Sequence, residues 1–296
     1  MELRQKFEKY FDIPTIDYCH KLCLEIDEES ETQNEKNEFT ISRQLNDEFL
    51  QSLKAGNIND DMKVKMFEKL SSVVKKHENV MTHVEYCQSV RKTNKEQREL
   101  ILEAIHKISL EHSFPLQIFL SGPAGSGKTF LMKLLMETYN RFSQKHDSIY
   151  NSYVACASTG LAAAGLNDTT VYSTFGLKSG RNAYISVESI NAMRNALKNV
   201  GILFVDEVSM IGSKLLLDLN TRLQSIFYNF DEMFGGKNII FCGDLRQLPP
   251  VRQTPIYKRK NVSDEIVWQN LDYYPLTTVM RQKDVTFSSL LTKIGD

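Results

Sequence analysis

From Thr93 onward the hydrophobic residues fall into two alternating patterns. Short, nearly continuous apolar runs occur at Gln117–Ser121, Tyr153–Ala157, Gly201–Val205 and Asn238–Cys242. Runs of this length without polar alternation predict strands buried on both faces. Between them, apolar residues recur at helical spacing. Leu100, Ile101, Ala104, Ile105 and Ile108 form one stripe, capped by Thr93 or Asn94. Leu131, Leu134, Leu135 and Thr138 form a second, and a third lies within 214–227. Strands alternating with helices predict an α/β fold, a parallel sheet covered by helices on both faces. In such sheets the site lies at the carboxyl ends of the strands.

Before Thr93 the pattern is weaker. The stretch from Glu25 to Glu38 holds seven acidic residues, one lysine (Lys36) and no large apolar residue besides Ile26, which predicts a solvated linker. Leu45, Phe49 and Leu53, then Val64, Phe67, Leu70, Val73 and Val74, predict two amphipathic helices. The chain therefore divides into a helical, partly disordered N-terminal extension over 1–92 and an α/β domain over 93–296.

Composition adds three constraints. Hydrophobic residues make up 42% of the 296, enough for a core, and no apolar run approaches membrane-spanning length, so no membrane partner is expected. Glu2, Arg4, Lys6 and Glu8 open the chain with no apolar stretch behind them, unlike a secretory signal. The five cysteines are odd in number and scattered, which suits a reducing, intracellular setting rather than a disulfide framework. Cys19, Cys23, His83 and Cys87 could form a zinc set on paper, but a spacing of four is also helical spacing. The net charge of −1 hides an asymmetry: residues 1–90 hold 12 Lys and Arg against 18 Asp and Glu, so the remainder is net basic. A basic segment is compatible with a polyanionic partner.

The chemistry centres on Gly122-Pro123-Ala124-Gly125-Ser126-Gly127-Lys128-Thr129, which follows the first apolar run and precedes a helical stripe. Strand, glycine-rich turn and helix are the context of a phosphate-binding loop. Glycines let backbone N–H groups converge on anionic oxygens, and the helix start adds its positive dipole end. Lys128 would reach the β- and γ-phosphates of a nucleoside triphosphate, and the Thr129 hydroxyl would take one Mg²⁺ position. The third run ends in Asp206-Glu207. Uncompensated carboxylates at the end of a buried strand are costly, and a metal ion and a water relieve that cost. Asp206 would hold Mg²⁺ and Glu207 would orient and deprotonate the attacking water. The fourth run leads to Gly243-Asp244-Leu245-Arg246-Gln247-Leu248-Pro249-Pro250-Val251, where Gln247 could touch both γ-phosphate and water.

These pieces together resemble the motor core of the PIF-one (petite-integration-frequency) family of DNA helicases, in the 5′-to-3′ branch B of superfamily one. Asn94-Lys95-Glu96-Gln97 resembles the Q motif, Gly122 to Thr129 motif I, and Ala157 to Ala163 motif Ia. Val205 to Met210 resembles motif II, Gly243 to Val251 motif III, and Leu276 to Gln282 motif IV. Leu245-Arg246 resembles the variant found in copies associated with rolling-circle (Helitron) transposons. The resemblance implies a RecA-like P-loop NTPase fold in a monomer. Gln97 would lie against the adenine edge and Arg281 would be the motif IV arginine acting in hydrolysis. Single-stranded DNA would cross the domain, with Ser158, Thr159 and Thr170 as phosphate or sugar contacts and Phe175 as a stacking platform. Lys258-Arg259-Lys260 could add electrostatic attraction. It further implies ATP-driven translocation in DNA repair, recombination and telomere maintenance. Where family members carry a histidine, this chain reads Val171-Tyr172-Ser173-Thr174-Phe175, keeping a ring but losing the imidazole.

The family's second motor domain, with motifs V and VI, has no counterpart here, so residues 93–296 are expected to be a first motor lobe. Such a lobe alone should hydrolyse ATP weakly, respond little to single-stranded DNA and not unwind it. Two other readings stay open: a truncated relic that binds nucleotide or DNA without turnover, and a different phosphate-loop ATPase.

Overall fold

Strands form where the apolar runs lie, and their registers decide which residues meet. The computed structural model describes residues 81–109, 114–143, 150–160, 169–177, 185–258 and 267–280. The two helices expected over 45–53 and 64–74, the acidic stretch, Cys19, Cys23, Arg259, Lys260 and Arg281 lie outside the described residues.

The four expected strands are β1 (Gln117–Ser121), β2 (Tyr153–Ala157), β3 (Ile202–Asp206) and β4 (Asn238–Gly243). A fifth, β5 (Asp272–Pro275), has no apolar run to announce it, because its residues are mostly exposed. The order is β2-β3-β4-β1-β5, and every pairing is parallel. Register aligns the carboxyl ends: Ala157 lies opposite Asp206, and Ser121 lies opposite both Gly243 and Pro275. The segments leaving those ends therefore stand side by side.

Side chains alternate cleanly across the sheet. Phe119, Leu203, Val205, Ile239 and Phe241 face one core layer, and Ile118, Leu120, Phe204, Ile240 and Cys242 face the other. Helices α1 (His83–Arg91), α2 (Lys95–Ser109) and α3 (Lys128–Phe142) cover the second layer through residues such as Tyr86, Leu100, Ile101, Leu131 and Leu135. Helices α4 (Val171–Thr174), α5 (Val187–Ala196) and α6 (Ser213–Phe227) cover the first through Val171, Met193, Leu216 and Leu223. Both faces are thus buried, as continuous apolar strands require.

Helix α1 precedes residue 93 yet packs on this domain. A capping box closes its start: Thr82 Oγ1 accepts from Glu85 N, and the Glu85 carboxylate accepts from Thr82 N. Tyr86 is buried with its hydroxyl 3.0 Å from Thr138 Oγ1 on α3, and Arg141 donates to Met81 O.

Candidate active site

The glycine-rich loop joins β1 to α3 and takes its shape from its neighbours. Gly125 (φ 86°) and Gly127 (φ 87°) adopt left-handed backbone that side chains disfavour. A Cβ on Gly122 would lie 2.5 Å from Ser126 Oγ and 2.9 Å from Leu276 O, so only bare backbone fits there. Lys128 Nζ donates to Gly122 O (2.7 Å) and Pro123 O (3.1 Å), folded back over the loop. The Ser126 hydroxyl is buried with no hydrogen-bond partner among the described residues. Such an orphan costs about 1–3 kcal/mol unless something binds it. Thr129 is exposed on the first turn of α3.

Asp206 ends β3, and Glu207 turns away from it with φ 52° and ψ 48°. Left-handed backbone in a non-glycine residue costs about 1–3 kcal/mol and persists where surroundings over-determine it. Here Asp206 Oδ1 accepts from Glu207 N at 2.9 Å. Gly243 packs behind the turn so closely that its Cβ would meet Val208 Cγ1 at 2.9 Å and Val208 N at 3.0 Å. Burial raises the pKa of Asp206, opposed by the Glu207 N–H, the Cys242 thiol and the charge of Lys128. Burial also raises Glu207, and the Asp206 charge adds to it, while Lys128 opposes. These charges feel one another across β3, β4 and β1, so Lys128 and the acid pair share one site.

Asp244 completes the row. Its carboxylate accepts from Arg246 Nε (2.9 Å) and an Arg246 terminal nitrogen (3.0 Å), and from Arg246 N (3.1 Å). Burial pushes its pKa up, but Arg246 outweighs this and holds it below the ordinary value. Gln247 follows, exposed, its N–H donating to Asp244 O. Ser158 and Thr159 leave β2 beside Asp206, with Ser158 N donating to Asp206 O (3.2 Å). The Ser158 hydroxyl is buried with no partner among the described residues. Thr170 bridges to Ala157, and its hydroxyl caps α4 by accepting from Ser173 N. The loop, the acid pair, Gln247 and the three hydroxyl residues thus all leave one edge of the sheet.

Two expectations are corrected. Phe175 is 1% exposed in the layer with Val171, Leu177 and Leu203, so it is a core ring and offers no face for a base. Gln97 is 0% exposed and both ends of its amide are engaged: Oε1 accepts from Asn94 N and Nε2 donates to Ser126 O. It braces the phosphate loop and presents no adenine-reading edge.

Sequence reasoning gave no role to Glu96, Cys242 or the Asp244–Arg246 pair. Cys242 reaches Asp206 only because β3 and β4 pair in register, which no spacing along the chain reveals. Asp244 and Arg246, two residues apart, were within reach of local inspection.

The residues present fit a magnesium-bound triphosphate: a loop with no room for a Cβ at Gly122 or Gly127, an orphan hydroxyl, a lysine, and two half-buried carboxylates whose burial raises their pKa. Among the described residues no three His, Cys, Asp or Glu cluster as a protein-only metal site.

Residues 92–296 match the family model described as PIF1-like helicase. The ATP-dependent DNA helicase PIF1 of Saccharomyces cerevisiae (strain YJM789) is 33% identical over 188 residues, covering 60% of this chain and 21% of the relative. The Homo sapiens protein of that name is 32% identical over 184 residues, covering 60% and 27%. The crystal structure of Pif1 helicase from Candida albicans superposes with a TM-score of 0.53 at 25% identity, over 69% of this chain and 44% of that one. A structure of two coordinating Pif1 helicases at forked double-stranded DNA gives 0.50 at 25% identity, over 69% and 48%. The chain spans about a quarter of the length of these curated relatives.

Proposed function

The chain belongs to the PIF1-like helicase family, and from that premise we propose that residues 93–296 are the nucleotide-binding motor lobe of an ATP-dependent DNA helicase. The observation that carries this reading is the alignment of Lys128, Asp206 and Glu207 at one sheet edge, beside a loop in which Gly122 and Gly127 leave no room for a Cβ.

Lys128 leaves the carbonyls of Gly122 and Pro123 for the β- and γ-phosphates, exchanging two neutral acceptors for charged ones. The backbone N–H groups of the loop and the first turn of α3 hold the remaining oxygens. Asp206 and Thr129 would hold Mg²⁺, which when bound neutralises charge on the phosphates. Glu207, aimed off the strand by its left-handed backbone, takes the proton of the attacking water. Its raised pKa makes it a better base than an exposed carboxylate. Gln247 orients the water, and Arg281 supplies further positive charge.

Single-stranded DNA, moved 5′ to 3′, is the proposed partner, with Ser158, Thr159 and Thr170 as its contacts. Repair, recombination and telomere maintenance in the nucleus, by a monomer, are the roles that follow from this reading. The test is a thermal melt of the chain with and without Mg²⁺-ATP, followed by an ATPase assay. Saturation at about 100 times Kd stabilises by about 2.7 kcal/mol. A melt indifferent to Mg²⁺-ATP would sink the proposal.

A further inference from the structure

The segment after β5 runs across the phosphate loop, and it is held there by polar contacts. Leu276 N donates to Ser121 O (2.7 Å), extending the β1–β5 pairing, and Met280 N donates to Gly125 O (2.9 Å). Between these points Thr277 and Thr278 are exposed, so apolar burial does not fix their path. Glu96, on the first turn of α2, does. One carboxylate oxygen accepts from Thr277 N (3.0 Å) and Thr278 N (3.4 Å), and the other accepts from the Thr277 hydroxyl. Tyr274 also donates to the Glu96 carbonyl (2.7 Å), and Asn94 Nδ2 donates to Met280 Sδ (3.7 Å).

In a trans peptide the C=O and the following N–H point in opposite directions. Met280 N–H holds the Gly125 carbonyl from outside the loop, so the Ser126 N–H turns inward, where it meets Pro123 O. Gln97 Nε2 holds the Ser126 carbonyl in the same way, which turns the Gly127 N–H away from it. Two successive donors of the cradle are therefore oriented by partners outside it, one on α2 and one on the 276–280 segment. Orienting donors before an anion arrives removes the cost of ordering them afterwards.

We propose that Glu96 is a positioning residue for the triphosphate: by clamping Thr277 and Thr278 it keeps Met280 on Gly125, and so presets the loop's inward N–H groups. The inference rests on the nucleotide reading above for its ligand, while its structural step stands on the loop itself.

The test compares Glu96→Ala, Glu96→Gln and the unaltered full chain, by titration with a fluorescent ATP analogue plus Mg²⁺ and by amide hydrogen exchange without nucleotide. Glu96→Ala is expected to weaken binding about tenfold, as loss of hydrogen bonds to a charged group implies. It is also expected to speed exchange at Ser126 and Gly127. Glu96→Gln, whose amide can accept from both backbone N–H groups and donate to the Thr277 hydroxyl, is expected to restore most of both. Should Glu96→Ala fail to fold, Thr277→Val at an exposed position removes one contact and is expected to weaken binding about two- to threefold. A role in stability alone would lower the melting temperature while leaving the folded protein's affinity and loop exchange unchanged, and that result would overturn the proposal. An unaltered chain that binds no Mg²⁺-ATP would defeat the nucleotide reading instead, and the exchange comparison would still decide this one.

Discussion

At the scale of single residues, the acid pair and Lys128 show how folding sets chemistry. Burial raises both Asp206 and Glu207, and each is disfavoured as an anion in the folded state. A carboxylate with a raised folded pKa contributes stability below its ordinary value, and that contribution disappears as pH rises through the raised value. At neutral pH the pair therefore lowers stability. Asp206→Asn, whose side-chain oxygen can still accept from Glu207 N, is expected to raise the melting temperature at pH 7 without Mg²⁺. The difference should shrink as the pH falls below the ordinary carboxylate range, which a melt series across pH would check. Activity responds in the opposite sense. Glu207 must be ionised to accept a proton, so hydrolysis is expected to fail on the acid side at a pH above the ordinary value of 4.5. Glu207→Gln should bind Mg²⁺-ATP with unchanged affinity and lose turnover. Lys128→Ala should weaken binding by about 1.5–3 kcal/mol for each charge-assisted contact removed, measured by nucleotide titration.

At the scale of elements, the turns carry the specificity. Gly127 combines a φ of 87° with a Cβ position 2.5 Å from Gln97 Nε2, so Gly127→Ala strains the loop and displaces its brace. A loss of about 1 kcal/mol or more is expected from the backbone alone, with weaker nucleotide binding beside it. Helix α4 depends on Phe175, which closes it and fills the core. Phe175→Ala is expected to cost about 3–5 kcal/mol in urea unfolding, the amount for a buried ring. In a variant kept folded, affinity for single-stranded DNA should change less than stacking on an exposed ring would require. The register of β3 on β4 brings the Cys242 thiol to Asp206, a contact between strands that no helix or turn could supply.

At the scale of the whole molecule, α1 belongs to the same unit as the sheet. Tyr86→Ala removes a buried ring and its hydrogen bond to Thr138, and is expected to shift the entire unfolding transition by about 3–5 kcal/mol. A separate early transition for α1 would show that it folds apart. Local sequence specifies strands β1 to β4, helices α2, α3 and α6, and the phosphate loop with its acid pair. Each of these is written in local terms: a continuous apolar run, a 3.6-residue stripe, or a fixed spacing of glycine and lysine. The remainder depends on contacts between segments far apart in the chain. Strand β5 carries no apolar run, because most of its residues stay exposed instead of entering a core layer. Phe175 reads equally as platform or core, since periodicity records that a ring is apolar and not which surface covers it. Glu96 takes its role from a segment more than 180 residues away, which the pairing of β5 with β1 delivers to the loop, and Gln97 takes its own from Ser126, 29 residues away. Strand order and register are long-range properties, and they alone determine which ends of the sheet meet.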